Sequence, residues 1–275
     1  MMAAGGVDHS LFTIVIPTYN EVGNVGNMIR DLTSLYPGTR ITIVDDGSTD
    51  GTVETVQSMQ RNHPHLDIIR RDPRDRGLTA SVMDGIMAVG TDFFVVMDCD
   101  FQHPPRYVGG LMSLVIGGAD LAIGAREGMG PLSFGRRIAS SGANRLASTY
   151  LWFRRRPSSS DLMSGLFAGR APLAKDIIAI HGKDFERGGF KVLFDLLRFM
   201  PRDTKVVDSP YRFGDRASGT SKLSSDIVLT VLRQCGLGGK VASGTLHFFI
   251  INKAGRAVGF VILAAIFAIV ISFAA

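Results

Sequence analysis

Features of a secreted protein are missing from this sequence of 275 residues. Only two cysteines are present, Cys99 and Cys235, which are too few for a disulfide framework and match a reducing compartment. The first ten residues, MMAAGGVDHS, lack the charged and apolar regions of a signal peptide. Internal repeats and low-complexity segments are also missing. At this length we expect one large core, or one domain with an appendage.

Charge is missing from the last 19 residues, AVGFVILAAIFAIVISFAA. A helix over 257–275 would be about 28 Å long, close to the ~30 Å of a bilayer core. A buried core helix is the alternative, but such helices rarely lack a polar face. The segment therefore predicts a single C-terminal membrane helix. Because Lys240, Lys253 and Arg256 precede it, the positive-inside tendency places the body of the protein in the cytoplasm.

Positive charge exceeds negative charge, with a net charge of +5 and a pI of about 9.4. This balance suits an anionic partner, either nucleic acid or a membrane surface. Residues 128–160 contain six arginines and no acid, and Arg154–Arg156 adjoin Trp152 and Phe153 as in surfaces that contact lipid headgroups. A merely solvated basic face is the alternative. Nucleic acid would not explain the apolar C-terminus, so we expect no nucleic-acid partner.

Apolar strand-like runs alternate with segments of helical spacing through the first half of the chain. LFTIVIPTYN, TRITIVDDGS, LDIIRR, FFVVMD and LAIGAR read as strands, and NVGNMIRDLTSLY, TVETVQSMQRN and TASVMDGIMAVG read as helices. Such alternation predicts right-handed βαβ units and an α/β fold with a mostly parallel sheet flanked by helices. Further along, IVLTVLRQCGLGG and TLHFFII are short apolar stretches that suit helices lying in a membrane interface.

Two acidic clusters, Asp45–Asp46 and Asp98–Asp100, follow predicted strands. In parallel α/β sheets, ligands bind at the carboxyl ends of the strands. We therefore expect both clusters to lie at one binding edge of the sheet.

The second cluster suits a divalent metal. Residues two apart on a strand point to the same side, so Asp98 and Asp100 would converge and repel unless a cation lay between them. Their hard oxygens, with a carbonyl oxygen from Gln102, favour Mg²⁺ or Mn²⁺, and Mg²⁺ commonly shares its ligands with substrate phosphates. Cys99 is expected to face the core, and His103 to be a turn residue in preference to a metal ligand.

The first cluster suits a nucleoside or a turn. Asp45 and Asp46 at a strand end are expected to accept hydrogen bonds from a ribose hydroxyl or a base edge. For Ser48, Thr49 and Asp50 we favour a structural role, because these residue types cap helices and stabilise turns.

Cations lie in two further segments. Arg136 and Arg137, followed about one helical turn later by Ser140 and Ser141, could form a phosphate site of forked donors and hydroxyls. Residues 209–223, SPYRFGDRASGTSKL, read either as a plain linker or as a mobile cationic loop that closes over a pyrophosphate.

Seven motifs occur in an order typical of one family: IPTYNE, VDDGSTDGT, MDCDFQHPP, IGAR, SGAN, SDLMSGLF and FGDRASGTSKL. Over residues 11–223 the chain resembles the dolichol-phosphate mannose synthases, which are family-2 glycosyltransferases of GT-A fold acting on polyprenyl phosphate. The first two motifs are shared by most family-2 enzymes, whereas the later ones are more specific. The resemblance implies a GT-A domain over 1–223. The apolar patterns described above predict interfacial amphipathic helices over 224–256 and the membrane helix over 257–275.

The resemblance also implies roles for individual residues. Asp100, Arg126, Arg137 and Arg216 would be the catalytic residues. The residues that would bind the nucleotide are Pro17, Tyr19, Glu21, Asp46, Asp98 and Lys222. The lipid phosphate would be held by Arg126, Arg137 and Ser141, the metal by Asp98, Asp100 and Gln102, and the pyrophosphate by a loop containing Arg216 and Lys222.

The implied reaction moves mannose from GDP-mannose to dolichyl (polyprenyl) phosphate at the cytoplasmic membrane face, with Mg²⁺ or Mn²⁺. A phosphate monoester, whose second pKa is near ~6, is already largely dianionic at neutral pH and needs no general base. Single displacement would then invert the sugar and give a β-linked product. Two alternatives remain open: a UDP-glucose:polyprenyl-phosphate glucosyltransferase and a membrane-tethered nucleotide-binding module without turnover. A nucleotidyltransferase would need a glycine-rich phosphate loop near the first strand, and IPTYNEVGN is not one.

Overall fold

The computed structural model describes residues 7–127, 134–187, 189, 192–214 and 234, with only the backbone described for 134–143. Seven strands and seven α-helices lie within these residues. The strands are β1 (Phe12–Thr18), β2 (Arg40–Asp45), β3 (Leu66–Arg70), β4 (Phe93–Val96), β5 (Leu121–Arg126), β6 (Phe167–Arg170) and β7 (Val206–Tyr211). The helices are α1 (Val22–Leu35), α2 (Thr52–Gln60), α3 (Leu78–Ala88), α4 (Val108–Ile116), α5 (Phe134–Phe153), α6 (Ala171–His181) and α7 (Val192–Phe199).

The strands form one seven-stranded sheet in the order β3-β2-β1-β4-β6-β5-β7. Every neighbouring pair is parallel except the two pairs that β6 makes with β4 and β5. The predicted α/β architecture with a mostly parallel sheet is therefore confirmed. Because β6 runs the other way, the loop that leads into β6 lies at the edge where the parallel strands end.

Apolar residues cover both faces of the sheet. Helices α3, α6 and α7 pack over one face, and α1 and α4 pack over the other. Gly85 lets α3 approach the sheet closely, because a Cβ at this position would lie 2.3 Å from Val15 Cγ1 and 2.9 Å from Val44 Cγ2. The central strands are buried on both sides as a result, and polar groups reach a ligand only at the strand ends.

Two parts of the fold differ from the sequence prediction. The FAGR segment, Phe167–Arg170, is a strand that the sequence pattern did not indicate. Residues 209–211, expected to begin a loop, instead complete β7. Both segments pair with β5, which is distant from them in the sequence. Local sequence patterns therefore could not reveal that these segments are strands.

The predicted single C-terminal membrane span is wrong. Across the part of the chain that the structure describes, no helix is both long enough and apolar enough to cross a membrane. The longest described helix, α5, has 20 residues, but it contains Arg136, Arg137 and Arg145. Arginine at the centre of a bilayer is costly. Residues 257–275, on which the prediction rested, lie outside the described residues.

Candidate active site

The two acidic clusters meet at one edge of the sheet, as predicted. Strand β1 lies between β2 and β4, with Thr18 opposite Asp45 and Val15 opposite Val96. All three strands are parallel, so their carboxyl ends point the same way. Asp45–Asp46 and Asp98–Asp100 therefore lie on either side of the end of β1.

The second cluster turns sharply after β4. Phe101 has a φ of 64°, in the left-handed region that non-glycine residues rarely adopt. This turn lets the Gln102 backbone N–H donate to Asp100 Oδ1 at 3.0 Å. Asp100 is buried, whereas the side chain of Asp98 is 37% exposed. Cys99 is buried as predicted, and burial raises the pKa of its thiol.

The chemistry of this cluster fits a divalent cation that shares its ligands with a substrate. Within the described ranges, no group of three or more His, Cys, Asp or Glu residues could hold a metal by itself. Mg²⁺, however, is usually bound through one or two carboxylates together with substrate phosphates and water. Asp98 and Asp100 provide two carboxylates, and Gln102 follows them at once in the chain. The site thus suits a metal that arrives with a phosphorylated ligand.

Asp46 is buried at the end of β2 together with its partner Arg71. Its carboxylate contacts the Arg71 guanidinium and accepts a hydrogen bond from the Gly77 N–H at 2.8 Å. Arg71 also donates to Asp84 at 2.7 Å and Asp75 at 2.9 Å. Burial lowers the pKa of Arg71, but the bonds and charges of these acids outweigh burial and raise it. Asp46 is therefore held rigidly, and a nucleoside would meet a fixed acceptor.

Tyr19 lies beside Arg76, a residue that the sequence analysis did not single out as functional. The Arg76 guanidinium stacks over the Tyr19 ring at 4.4 Å from its centroid and donates to the phenol oxygen at 2.9 Å. The same guanidinium donates to the backbone carbonyls of Asp46 and Gly47, both at 3.1 Å. Arg76 thus joins the ends of β1 and β2 and forms part of the candidate nucleotide site.

Pro17 and Glu21 border the same region. Pro17 lies beyond Val15, the last β1 residue paired with β4, so its missing N–H removes no bond to that strand. The Glu21 N–H donates to Thr52 Oγ1 at 2.9 Å, and its carboxylate accepts from Asn24 Nδ2 at 2.7 Å. These bonds fix the start of α1 next to the candidate site.

Asp45 and Asp50 hold turns, which confirms the structural role predicted for Asp50 and differs from the ligand role predicted for Asp45. Asp45 accepts from the Gly47 and Ser48 N–H groups and from the Thr18 hydroxyl, at 2.8 to 3.1 Å. Asp50 accepts from the Thr52 N–H at 3.0 Å, at the start of α2. Of the first cluster, Asp46 is therefore the better candidate for ligand binding.

Arg126 ends β5 and forms a two-pronged ion pair with Asp161. Its Nε and Nη2 donate to the two carboxylate oxygens at 2.6 and 2.8 Å. Burial lowers the pKa of Arg126, but the bond and charge of Asp161 outweigh it, so the pKa is raised and the cation is retained. The guanidinium also lies 5.5 Å from the centre of the Phe213 ring. Arg126 is thus a positioned, partly exposed cation suited to an anion.

The loop before β6 holds Asp161 in place. Ser160 donates to Asp208 of β7 through its backbone and its hydroxyl, at 2.8 and 2.6 Å. Asn144 of α5 accepts from the Leu162 N–H at 2.9 Å. The sequence motif SDLMSGLF had marked this loop, but it did not identify Asp161 as the partner of Arg126.

His103 is buried between two polar groups. Its Nε2 lies 3.1 Å from Asp98 Oδ2, and its Nδ1 lies 2.6 Å from the Tyr211 hydroxyl. A His–Asp pair is therefore present, which the sequence analysis did not identify. Both ring nitrogens are occupied in this arrangement, which does not suit His103 to accept a proton from a substrate.

Several predicted residues cannot be placed. The side chains of Arg137 and Ser141 lie outside the described atoms of α5, and Arg216 and Lys222 lie outside the described residues, as does residue 235. Of segment 224–256, only Gln234 is described, and its Nε2 donates to the buried Asp195 at 2.7 Å.

The basic cluster at the end of α5 lies away from the candidate site. Trp152 is 71% exposed, and Arg156 donates to the Met200 carbonyl at 2.8 Å. Met200 precedes β7, whose opposite end lies beside Arg126. The cluster is therefore near the amino-terminal end of β7, not among the acids at the strand ends.

Comparison with known proteins finds one matching family model and several related sequences. Residues 13–178 match the model of Glycosyl transferase family 2. The chain is 34% identical to a dolichol-phosphate mannosyltransferase of Pyrococcus furiosus, over 80% of this chain and 61% of that protein. It is 31% identical to the enzyme of the same name from Saccharomyces cerevisiae, over 81% of this chain and 85% of the relative. The chain thus spans less than two thirds of the Pyrococcus relative.

Solved structures share the fold at lower identity. Glucosyl-3-phosphoglycerate synthase from Mycobacterium tuberculosis, crystallised with uridine diphosphate, aligns with a TM-score of 0.61 and 18% identity, covering 86% of this chain and 85% of that one. The same enzyme with Mn²⁺, uridine diphosphate and glucosyl-3-phosphoglycerate aligns with a TM-score of 0.58 and 21% identity, covering 82% and 80%. At these identities the likeness shows the fold alone.

Proposed function

This chain belongs to Glycosyl transferase family 2, and we propose that it transfers mannose from GDP-mannose to a polyprenyl phosphate such as dolichyl phosphate. The observation that carries the proposal is the meeting of Asp46, Asp98–Asp100 and Arg126 at strand ends along one edge of the sheet. The names of the Pyrococcus and Saccharomyces relatives support mannose as the sugar and a polyprenyl phosphate as the acceptor.

The donor nucleotide would bind at the ends of β1, β2 and β4. Asp46 is held by Arg71 and Gly77, and it offers a fixed carboxylate to the nucleoside. Pro17, Tyr19 and Glu21 would complete this site, as the family resemblance implies. A rigid acceptor loses little entropy on binding, so it favours a defined orientation of the nucleoside.

Asp98, Asp100 and Gln102 would hold Mg²⁺ or Mn²⁺ together with the diphosphate of the donor. When bound, such an ion neutralises charge that develops on the departing diphosphate. The protein contributes fixed oxygen ligands, of which Asp100 is buried and held by the Gln102 N–H. Arg216 and Lys222 would add positive charge on the diphosphate, a role carried over from the family resemblance alone.

Arg126 would orient the acceptor phosphate on the other side of the sugar. Its bonds to Asp161 fix the plane of the guanidinium, and forked N–H donors match phosphate geometry. Arg137 and Ser141 would contribute further donors from α5. The predicted roles of all these residues remain proposals.

No general base is required for the proposed reaction. The acceptor phosphate is largely dianionic at neutral pH because its second pKa is near ~6. Its oxygen attacks the anomeric carbon, and the bond from that carbon to the nucleoside diphosphate breaks. Catalysis then depends on the positioning of the two substrates and on stabilisation of charge at the attacking phosphate and at the departing diphosphate. A single displacement of this kind inverts the anomeric carbon and gives a β-linked mannosyl lipid phosphate.

A donor panel tests the proposal. Purified full-length protein is incubated with dolichyl phosphate and Mn²⁺, and with either GDP-mannose or UDP-glucose, and the lipid product is measured. We expect mannosyl lipid phosphate from GDP-mannose, with a β-linkage visible in the proton NMR spectrum. Transfer from UDP-glucose alone would replace the donor assignment with a glucosyltransferase. Nucleotide binding without transfer from either donor would contradict an enzymatic role.

A further inference from the structure

The carboxylate of Asp98 is linked to β7 through a chain of two buried side chains. Asp98 Oδ2 lies 3.1 Å from His103 Nε2, and His103 Nδ1 lies 2.6 Å from the Tyr211 hydroxyl. His103 is 3% exposed and Tyr211 is 2% exposed, so water does not compete strongly for the bond between them. The three residues come from the turn after β4 and from the end of β7, 108 residues apart in the chain.

The chemistry of the groups fixes the direction of both hydrogen bonds. An ionised carboxylate is only an acceptor, so His103 Nε2 carries the proton that is donated to Asp98. In the neutral imidazole, Nδ1 is then the acceptor and receives the phenol proton of Tyr211. Burial raises the pKa of Tyr211, which keeps that proton on the phenol. Tyr211 therefore fixes the orientation of the His103 ring, and His103 fixes the orientation of the Asp98 carboxylate.

Gly165 confines the same carboxylate from another side. A Cβ at this position would lie 2.6 Å from Asp98 Oδ2 and 2.9 Å from His103 Nε2. Any larger residue would displace the carboxylate or the imidazole, since real contacts of a Cβ are longer than this. The His103 imidazole thus holds Asp98 from one side, and Gly165 limits its movement from another.

The arrangement also connects the two halves of the proposed active site. Tyr211 is paired in register with Arg126 at the ends of β7 and β5. Arg126, the cation on the acceptor side, and Tyr211, which supports Asp98 through His103, therefore lie on the same pair of strands.

We propose that His103 and Tyr211 are positioning residues for Asp98, which hold its carboxylate in the orientation that binds a divalent metal. Neither residue contacts the metal or the substrates in this assignment; both act through Asp98. The inference rests on the proposed function, because it assumes that Asp98 is a metal ligand. Removing an outer partner of a metal ligand typically lowers metal affinity by 10–100-fold.

Binding of Mn²⁺ to the full-length protein in the presence of GDP tests this assignment. Free Mn²⁺ is followed by electron paramagnetic resonance, so that no catalytic activity is needed. We expect His103→Leu to raise the dissociation constant for Mn²⁺ by about 10–100-fold. His103→Gln keeps a donor near the position of Nε2 and is expected to restore most of the affinity. Tyr211→Phe removes one hydroxyl and should weaken Mn²⁺ binding in the same direction, by less.

Tyr36→Phe provides a matched control. The Tyr36 hydroxyl is also buried, donates to the Pro105 carbonyl at 2.8 Å and accepts from the Gly109 N–H at 2.9 Å. It stabilises the segment after His103 without contacting His103 in either bond. We expect this variant to lower the melting temperature and leave Mn²⁺ affinity unchanged. A merely structural role for Tyr211 would make Tyr211→Phe behave in the same way.

The outcomes separate the inference from the proposed function. Mn²⁺ affinity equal to wild type in His103→Leu would overturn the inference. If His103→Leu fails to fold, wild-type affinity in Tyr211→Phe, which retains its ring, would overturn it instead. Wild-type protein that takes up no Mn²⁺ with GDP would overturn the inference and the metal site together. If the variants bind Mn²⁺ with the expected changes in dissociation constant but wild-type protein transfers no mannose, the inference stands and the proposed reaction is refuted.

Discussion

At the scale of single residues, the candidate site is composed of charges that the fold holds in fixed orientations. Asp46 is held by Arg71, and Arg126 is held by Asp161. Buried or partly buried ion pairs of this kind cost desolvation and contribute little to stability. In this site, each ion pair instead fixes the position of one charged group that a ligand can contact.

Asp161→Asn tests the support of Arg126. The change removes the partner charge and leaves a neutral side chain of similar shape. A hydrogen bond to a charged group contributes about 1.5–3 kcal/mol, so loss of orientation is expected to raise the KM for lipid phosphate about tenfold or more. The KM for GDP-mannose should change little. Steady-state kinetics with each substrate varied in turn measures both effects.

Asp120→Asn is the control for this variant. Asp120 pairs with Arg170 at 3.2 Å and precedes β5, whereas Arg126 ends it. We expect wild-type kinetics from the control. Equal rises in the two KM values in Asp161→Asn would refute the assignment of Arg126 to the acceptor.

Arg76→Ala tests the role of the stacked pair with Tyr19. Removal of the guanidinium eliminates the cation–π contact, the bond to the Tyr19 phenol oxygen and two bonds to backbone carbonyls after β2. Because a partly exposed cation–π contact contributes roughly 0.5–1 kcal/mol, GDP affinity should fall by a few-fold at least. Isothermal titration with GDP and Mn²⁺ measures this change.

Arg74→Ala provides the comparison, since Arg74 is two residues away and its side chain is 90% exposed and paired with Asp72. The control should bind GDP as wild type does. If both variants bind GDP equally well, Arg76 is not part of the nucleotide site.

At the scale of secondary-structure elements, the sequence indicated those that depend on local patterns. β-branched strands that alternate with amphipathic helices predicted strands β1 to β5 and helices α1 to α3, whereas α4 was not predicted. Acids after β2 and β4 predicted the binding edge. Elements defined by distant partners were missed. The short strand β6 has no pattern of its own, and β7 was interpreted partly as a loop. The Asp161–Arg126 and His103–Tyr211 contacts join residues 35 and 108 apart, beyond what local spacing reveals.

The packing of α3 gives a prediction at this scale. Gly85→Ala would place a methyl group 2.3 Å from Val15 Cγ1. Overpacking of a well-filled core typically costs about 1–3 kcal/mol, which exceeds the helix-propensity gain of up to about 1 kcal/mol. We therefore expect a lower free energy of unfolding in urea.

Gly90→Ala is the matched control, because a Cβ there meets nothing within 4 Å. This variant should be as stable as wild type. A Gly85→Ala protein with unchanged stability would mean that α3 does not approach the sheet this closely.

At the scale of the whole molecule, the sheet order separates a donor side from an acceptor side. Asp46 and Asp98–Asp100 follow β2 and β4, whereas Arg126 and Tyr211 end β5 and β7. Antiparallel β6 lies between these groups and brings the Asp161–Gly165 loop to the same edge. A sugar placed between the two sides would have its leaving group near the acids and its attacking phosphate near Arg126.

The most direct test of the account is mannose transfer from GDP-mannose to dolichyl phosphate, measured with Mn²⁺ and with EDTA for wild type, Asp100→Asn and Asp92→Asn. Asp92 is exposed and precedes β4, so it serves as an acid remote from the strand ends. We expect wild type and Asp92→Asn to transfer mannose, with EDTA abolishing the transfer and Mn²⁺ restoring it, and we expect no transfer by Asp100→Asn. Full wild-type transfer in EDTA, or an active Asp100→Asn protein, would contradict it.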